Sequence, residues 1–134
     1  MFVLDCSMTM AWLFEDEQTE YSEKVLDSLN TNKAIVPTLW IYEVLNVLLV
    51  AERKKRITHT QSILFLETLK HLPIEIEDQL LLPKCESLLS SARDYHLSAY
   101  DAAYLDLAMH KGYPLASLDK QLLNAASEAG VKLM

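Results

Sequence analysis

The stretch Ala34-Ile35-Val36-Pro37-Thr38-Leu39-Trp40-Ile41-Tyr42-Glu43 contains a change of period. Ala34 to Val36 is a short, wholly apolar run, as expected of a strand buried on both faces, and Pro37 stops it. From Thr38, placed to cap, apolar side chains recur at helical spacing through Ala51, and the helix is predicted to end near Arg56. A buried strand feeding directly into a long helix is half of a β-α-β unit.

The same alternation extends in both directions. Phe2 to Asp5 reads as a strand, followed by helices over about 7–14 and 19–29. Beyond the central helix, Thr58 and Gln61 have capping-box spacing ahead of a Leu-rich helix. Ile74 to Glu77 alternates as a strand with one wet face, and a helix is expected over about 80–95 with Pro83 in its first turn. Ser98 and Asp101 open a helix that Gly112 ends, Pro114 to Leu118 is a strand, and a helix over about 120–129 is closed by Gly130. Val131 to Leu133 is a candidate edge strand. The expected fold is α/β, one domain over residues 1–134, with a mostly parallel central sheet of about four or five strands flanked by helices.

Composition limits the function classes. Only 2 Gly and 4 Pro among 134 residues leave little room for a turn-rich sandwich or barrel. The longest apolar stretch, Leu39 to Ala51, contains Glu43 and Asn46 and is too short to span a bilayer. The N-terminus lacks a signal-peptide pattern, and Cys6 and Cys85 read as reduced, packed thiols, so a cytoplasmic protein is expected. A net charge of −7 argues against broad nonspecific binding to nucleic acid. A polyanionic substrate would need positive charge from a metal ion or a partner.

Four acids fall at telling places. Asp5 and Asp119 end predicted strands, Asp101 lies in the first turn of a helix, and Glu43 shares a helix face with Leu39, Trp40, Val47 and Val50. In a parallel sheet the carboxyl ends of the strands and the starts of the following helices form one edge, where ligands gather. Each acid also has a purely structural reading: Asp5 and Asp119 as helix caps, Asp101 as the acid of the Ser98 box. Glu43 resists one, because a core-facing carboxylate must be paired or shift its pKa. Carboxylates crowded at one edge repel, and a hard divalent ion relieves the repulsion. Oxygen ligands favour magnesium, or manganese in its place, over zinc. His59, His71, His96 and His110 have no ligand spacing. Ser7 and Ser117 are placed to hydrogen-bond carboxylates, metal-bound water or a phosphate, and Asn46 to orient Glu43, although ordinary capping or turn polarity accounts for the three equally well. An acid-rich magnesium site suits phosphoryl transfer, with Asp101 or Asp119 orienting or deprotonating the attacking water.

Leu4-Asp5-Cys6-Ser7, Glu43 with Asn46, Leu97-Ser98-Ala99-Tyr100-Asp101-Ala102-Ala103-Tyr104, and Ala116-Ser117-Leu118-Asp119 resemble the ordered motifs of PIN domains. More narrowly, they resemble the VapC-type toxins of bacterial or archaeal toxin–antitoxin pairs. The resemblance spans essentially the whole chain. It implies a magnesium-dependent endoribonuclease whose site is Asp5, Glu43, Asp101 and Asp119, supported by Ser7, Asn46 and Ser117. It also implies a homodimer, inhibition by a cognate VapB-type antitoxin, and products with a 5′-phosphate and a 3′-hydroxyl. Ser117 stands where the family often has Thr, and Asp106 where a small or apolar residue is usual; Asp106 is read as surface or interface.

The run Arg53-Lys54-Lys55-Arg56 is the obvious candidate for RNA contact, although cations also suit a helix C-terminus. It lies ~15 Å along the helix from Glu43. Two other readings compete with the nuclease. A magnesium phosphatase or phospho-acceptor domain would use Asp5 as nucleophile, but Ser7 stands where such sites commonly carry a second Asp. A non-catalytic PIN-like interaction module would keep the acids for metal-linked stability.

Overall fold

A computed structural model describes residues 1–78 and 82–134. Its core is a four-stranded, wholly parallel sheet of β1 (Phe2–Leu4), β2 (Ala34–Pro37), β3 (Ile74–Glu77) and β4 (Leu115–Ala116). The spatial order is β3-β2-β1-β4. β1 lies between β2 and β4, with Val3 beside both Ile35 and Leu115, and Leu4 beside Ala116. All three residues of β1 are fully buried, which is why it reads as an unbroken apolar run. β3 is an edge strand, and its residues are only partly covered. The expected final strand is reduced to a parallel bridge between Leu115 and Leu133.

Helices connect and cover the strands: α1 (Cys6–Ala11), α2 (Glu20–Ser28), α3 (Leu39–Arg53), α4 (His59–His71), α5 (Cys85–Asp94), α6 (Ala99–Lys111) and α7 (Lys120–Glu128). The Thr58–Gln61 box is fully formed, and a second joins Thr19 to Ser22. Gly112, at φ 68°, takes the left-handed turn that closes α6. Because α6 leads directly into β4, it runs against the strands and its first turn lies at their carboxyl edge. α3 and α7 start at that edge too, each following a strand. α6 packs across β1 and β2, with Ala102, Leu105 and Ala108 buried. α1 packs on α3 through Thr9, whose hydroxyl donates to the Asp5 carbonyl (2.9 Å) and accepts from the Trp40 indole (3.0 Å).

Several expectations need correction. Thr38 does not cap α3; its hydroxyl donates to the Glu77 carbonyl at 3.2 Å and ties the ends of β2 and β3 together. The region before α5 is a 3-10 turn over Leu82–Lys84, so Pro83 lies outside the α-helix, and the expected positions 80 and 81 lie outside the described residues. Cys85 is exposed rather than packed, while Cys6 is buried.

α3 ends at Arg53, not near Arg56, because Lys55 turns left-handed (φ 58°) and Arg56 donates back to the Ala51 carbonyl at 2.8 Å. The turn carries Arg56 over the Phe14 ring, 4.0 Å from its centre, and 3.0 Å from Asp16. Arg56 therefore fastens the segment after α1 to the end of α3. Arg56→Gln is expected to lower unfolding free energy by about 1 kcal/mol, from the lost ring contact and ion pair. Urea denaturation of the two proteins measures it, and an unchanged midpoint would refute the fastening role.

Candidate metal and active site

Asp5 leaves β1 and caps α1. It is 4% exposed, and its Oδ1 accepts from the Met8 amide at 3.0 Å. The Ser7 hydroxyl donates to the same carboxylate (2.8 and 2.9 Å to its two oxygens), and the Ser117 hydroxyl donates to Oδ2 at 2.6 Å. Both hydroxyls are oriented from behind. The Leu118 amide donates to Ser7 Oγ and the Asp119 amide to Ser117 Oγ, each at 3.0 Å. With those lone pairs engaged, the serine protons are directed at Asp5. The loop after β4 thus reads the carboxylate at the end of β1 through two serines.

Asp119 caps α7, one oxygen accepting from the Leu122 amide at 3.0 Å. Asp101 sits three residues after Ser98, and its amide donates to the Ser98 hydroxyl at 3.1 Å. Unlike the two complete boxes, its carboxylate does not bond back to the Ser98 amide. The half-buried carboxylate is not consumed by capping. Glu43, on the second turn of α3, is also half-buried and accepts a 2.6 Å hydrogen bond from the Tyr104 hydroxyl on α6.

Electrostatics couples the four acids. Burial raises the Asp5 pKa to about 6 against the combined hydrogen bonds of Ser117, Met8 and Ser7, and the charge of Asp119 adds to the rise. Asp101 is raised by burial and again by Asp119. Glu43 is raised by burial, eased by the Tyr104 hydrogen bond, and raised by the charge of Asp101. Asp5, Asp119, Asp101 and Glu43 therefore form a chain of mutually repelling carboxylates from four different elements. Among the described residues none of them forms an ion pair with a Lys, Arg or His. Buried like charges without a cation are costly.

The donors fit a hard divalent ion: all are carboxylate oxygens, their mutual charge is uncompensated, and they share one edge. They are not gathered into a finished cage. No three His, Cys, Asp or Glu side chains among the described residues are close enough to hold one ion as they stand. The longer Glu43 and the half-buried Asp101 are the side chains with reach to adjust.

Some residues fall outside this constellation. Asn46 is exposed one turn beyond Glu43, and the hydrogen bond to Glu43 comes from Tyr104 instead. Asp106 lines a small cleft with Pro37, Thr38, Glu77 and Ala103, and none of the four acids lines it. Cys6 is adjacent to Asp5, but burial and the charges of Glu43 and Asp5 hold its thiol protonated, which disfavours a nucleophilic role. Tyr104 had a visible signal in the sequence: a phenol three residues after Asp101, within an Ala- and Leu-rich helix, needs a partner for its hydroxyl once buried.

Residues 2–128 match the family model described as PIN domain. The chain belongs to the PIN domain family. No curated protein sequence matches it significantly. Among solved structures, PAE2754 from Pyrobaculum aerophilum superimposes with a TM-score of 0.71 at 22% identity, over 92% of this chain and 83% of that one. FitAcB from Neisseria gonorrhoeae gives a TM-score of 0.66 at 18% identity, over 100% and 96% respectively. At these identities the likeness concerns the fold. The four-stranded parallel sheet flanked by helices is the PIN-like fold. Among the described residues, no helix is long and apolar enough to cross a membrane.

Proposed function

We propose that this PIN domain, residues 1–134, is a divalent-metal-dependent endoribonuclease of the VapC type, the toxin of a toxin–antitoxin pair. The observation that carries the reading is the uncompensated chain of coupled carboxylates, Asp5, Asp119, Asp101 and Glu43. These four would hold magnesium, with manganese able to replace it. When bound, the ion supplies a water of lowered pKa and offsets charge on the leaving oxygen. Ser7 and Ser117 keep the Asp5 carboxylate oriented. Asp101 or Asp119 receives the proton of the water attacking phosphorus, and the chain is cut to leave a 5′-phosphate and a 3′-hydroxyl.

A phospho-acceptor role for Asp5 is disfavoured by its surroundings. Three donors engage its carboxylate and disperse the charge a nucleophile needs, while acceptor capacity for a cation remains.

The protein's negative charge makes local positive charge important for holding RNA. Arg56 is engaged with Phe14 and Asp16, so the exposed Arg53, Lys54 and Lys55 are the members of the basic run open to a distant stretch of RNA. Leu45 and Leu49 on α3 and Ile63 and Leu64 on α4 face solvent. An apolar face of this kind suits coverage by a second protein chain, an antitoxin or a second copy in a homodimer.

Incubation of purified protein with RNA and magnesium is expected to yield cleavage products that are absent when a chelator is present. Chelator-resistant cleavage would sink the metal assignment, and no cleavage of any RNA would favour the non-catalytic interaction module.

A further inference from the structure

The four acids are held to different degrees. Asp5 and Asp119 are fixed by backbone amides at helix starts, and Asp101 has a short side chain on a helix turn. Glu43 has one more rotatable bond and sits on the second turn of α3, and among the described residues no backbone amide donates to its carboxylate. What it has is the Tyr104 hydroxyl at 2.6 Å. Tyr104 is 1% exposed, its ring fixed in the core beneath the sheet edge. It lies one helical turn beyond Asp101, on the same face of α6. The hydrogen bond therefore links the rotamer of the acid on α3 to the helix that carries the neighbouring acid.

We propose that Tyr104 is a positioning residue for Glu43: its hydroxyl holds Oε1 and leaves Oε2 for the crevice shared with Asp101, so that it governs how tightly a divalent ion is held. The inference rests on the metal-site reading above. The hydroxyl acts through Glu43, donating to its carboxylate at 2.6 Å. A buried donor on a rigid ring is suited to this role, since aiming Glu43 toward its neighbour works against repulsion and must be held from behind.

Manganese alone is the probe, with affinity read by calorimetry or by the electron spin resonance of the free ion. Tyr104→Phe keeps the ring and removes the hydroxyl. Its dissociation constant for manganese is expected to rise about ten- to a hundredfold, as for the loss of other outer hydrogen bonds at metal sites. In a Glu43→Gln background the same change is expected to alter affinity by less than about twofold, since its object is gone. Thermal unfolding of the metal-free variants serves as the folding control.

Wild-type affinity in Tyr104→Phe would overturn the proposal, as would equal losses with and without Glu43. If Glu43→Gln weakens binding while Tyr104→Phe does not, the metal site stands and the positioning role falls. A wild-type protein that binds no manganese overturns both. Should Tyr104→Phe not fold, Glu43→Asp, which withdraws the carboxylate by one methylene from a retained Tyr104, reads the same contact. Wild-type affinity there refutes the proposal, and a comparable loss is the expected result.

Discussion

Asp101→Asn is expected to reduce magnesium-dependent RNA cleavage by more than about a hundredfold while leaving the fold intact, because the loss of a ligand exceeds the ten- to hundredfold cost usual for an outer partner. The change is nearly isosteric, and the Asp101 carboxylate caps nothing: only its backbone amide bonds to Ser98. The expected metal-free stability is equal to or slightly above the wild type, since one member of a repelling chain has been neutralised. Single-turnover cleavage and urea denaturation, measured on the same preparation, separate the two effects. Activity within a few-fold of wild type would remove Asp101 from the site. A collapse of stability would instead mean that the half-formed cap matters more than its geometry suggests.

The largest effect on stability is expected from Asp5, and it depends on pH. In the folded, metal-free protein its pKa is about 6, above the ordinary 3.8. The folded state therefore binds this proton more tightly than the unfolded chain does, and the sign follows. Stability falls as pH rises from near 3.8 toward 6 and is then level, because above 6 the folded protein carries a buried charge that the unfolded chain solvates. Asp5→Asn cannot ionise and lacks this fall. Between about pH 4 and pH 7, in chelator, the wild type should lose roughly 2 kcal/mol relative to Asp5→Asn. The absolute offset between the two proteins also contains the hydrogen bonds that an amide nitrogen cannot accept, so the slope of the difference is the quantity to read. Magnesium should restore the wild type at pH 7 and leave the variant unmoved. A difference that is flat with pH would show that the Ser7, Met8 and Ser117 donors fully offset burial at Asp5.

Both predictions concern side chains whose roles were partly legible in the sequence. Asp5 and Asp119 each had a capping reading and a site reading; the structure shows both caps, and both acids at the shared edge. Asp5 caps α1 and faces Ser117, while Asp119 caps α7 and raises the pKa of Asp101. A cap commits part of a carboxylate, and the rest remains at the edge where the helix begins. The capping reading of Asp101 held only for its amide. The basic run was harder to judge from sequence, because neither the left-handed turn at Lys55 nor the approach of Phe14 and Asp16 to Arg56 has a local signal. Tyr104 was legible as part of a motif but not as the partner of Glu43, which is 61 residues away.

What the sequence determined alone was the alternation of strands and helices, because period, caps and turn residues act over a few neighbouring residues. It also determined that the acids lie at strand ends and helix starts, and hence at one edge of a parallel sheet. Tertiary structure decided which groups meet across that edge: Ser117 with Asp5, Tyr104 with Glu43, Asp119 with Asp101 through charge. Those meetings depend on the order β3-β2-β1-β4, which sets β1 beside β4 and brings α6 across β1 and β2. Pairings across 18, 61 and 112 residues are set by packing of the whole core, and no local pattern encodes them.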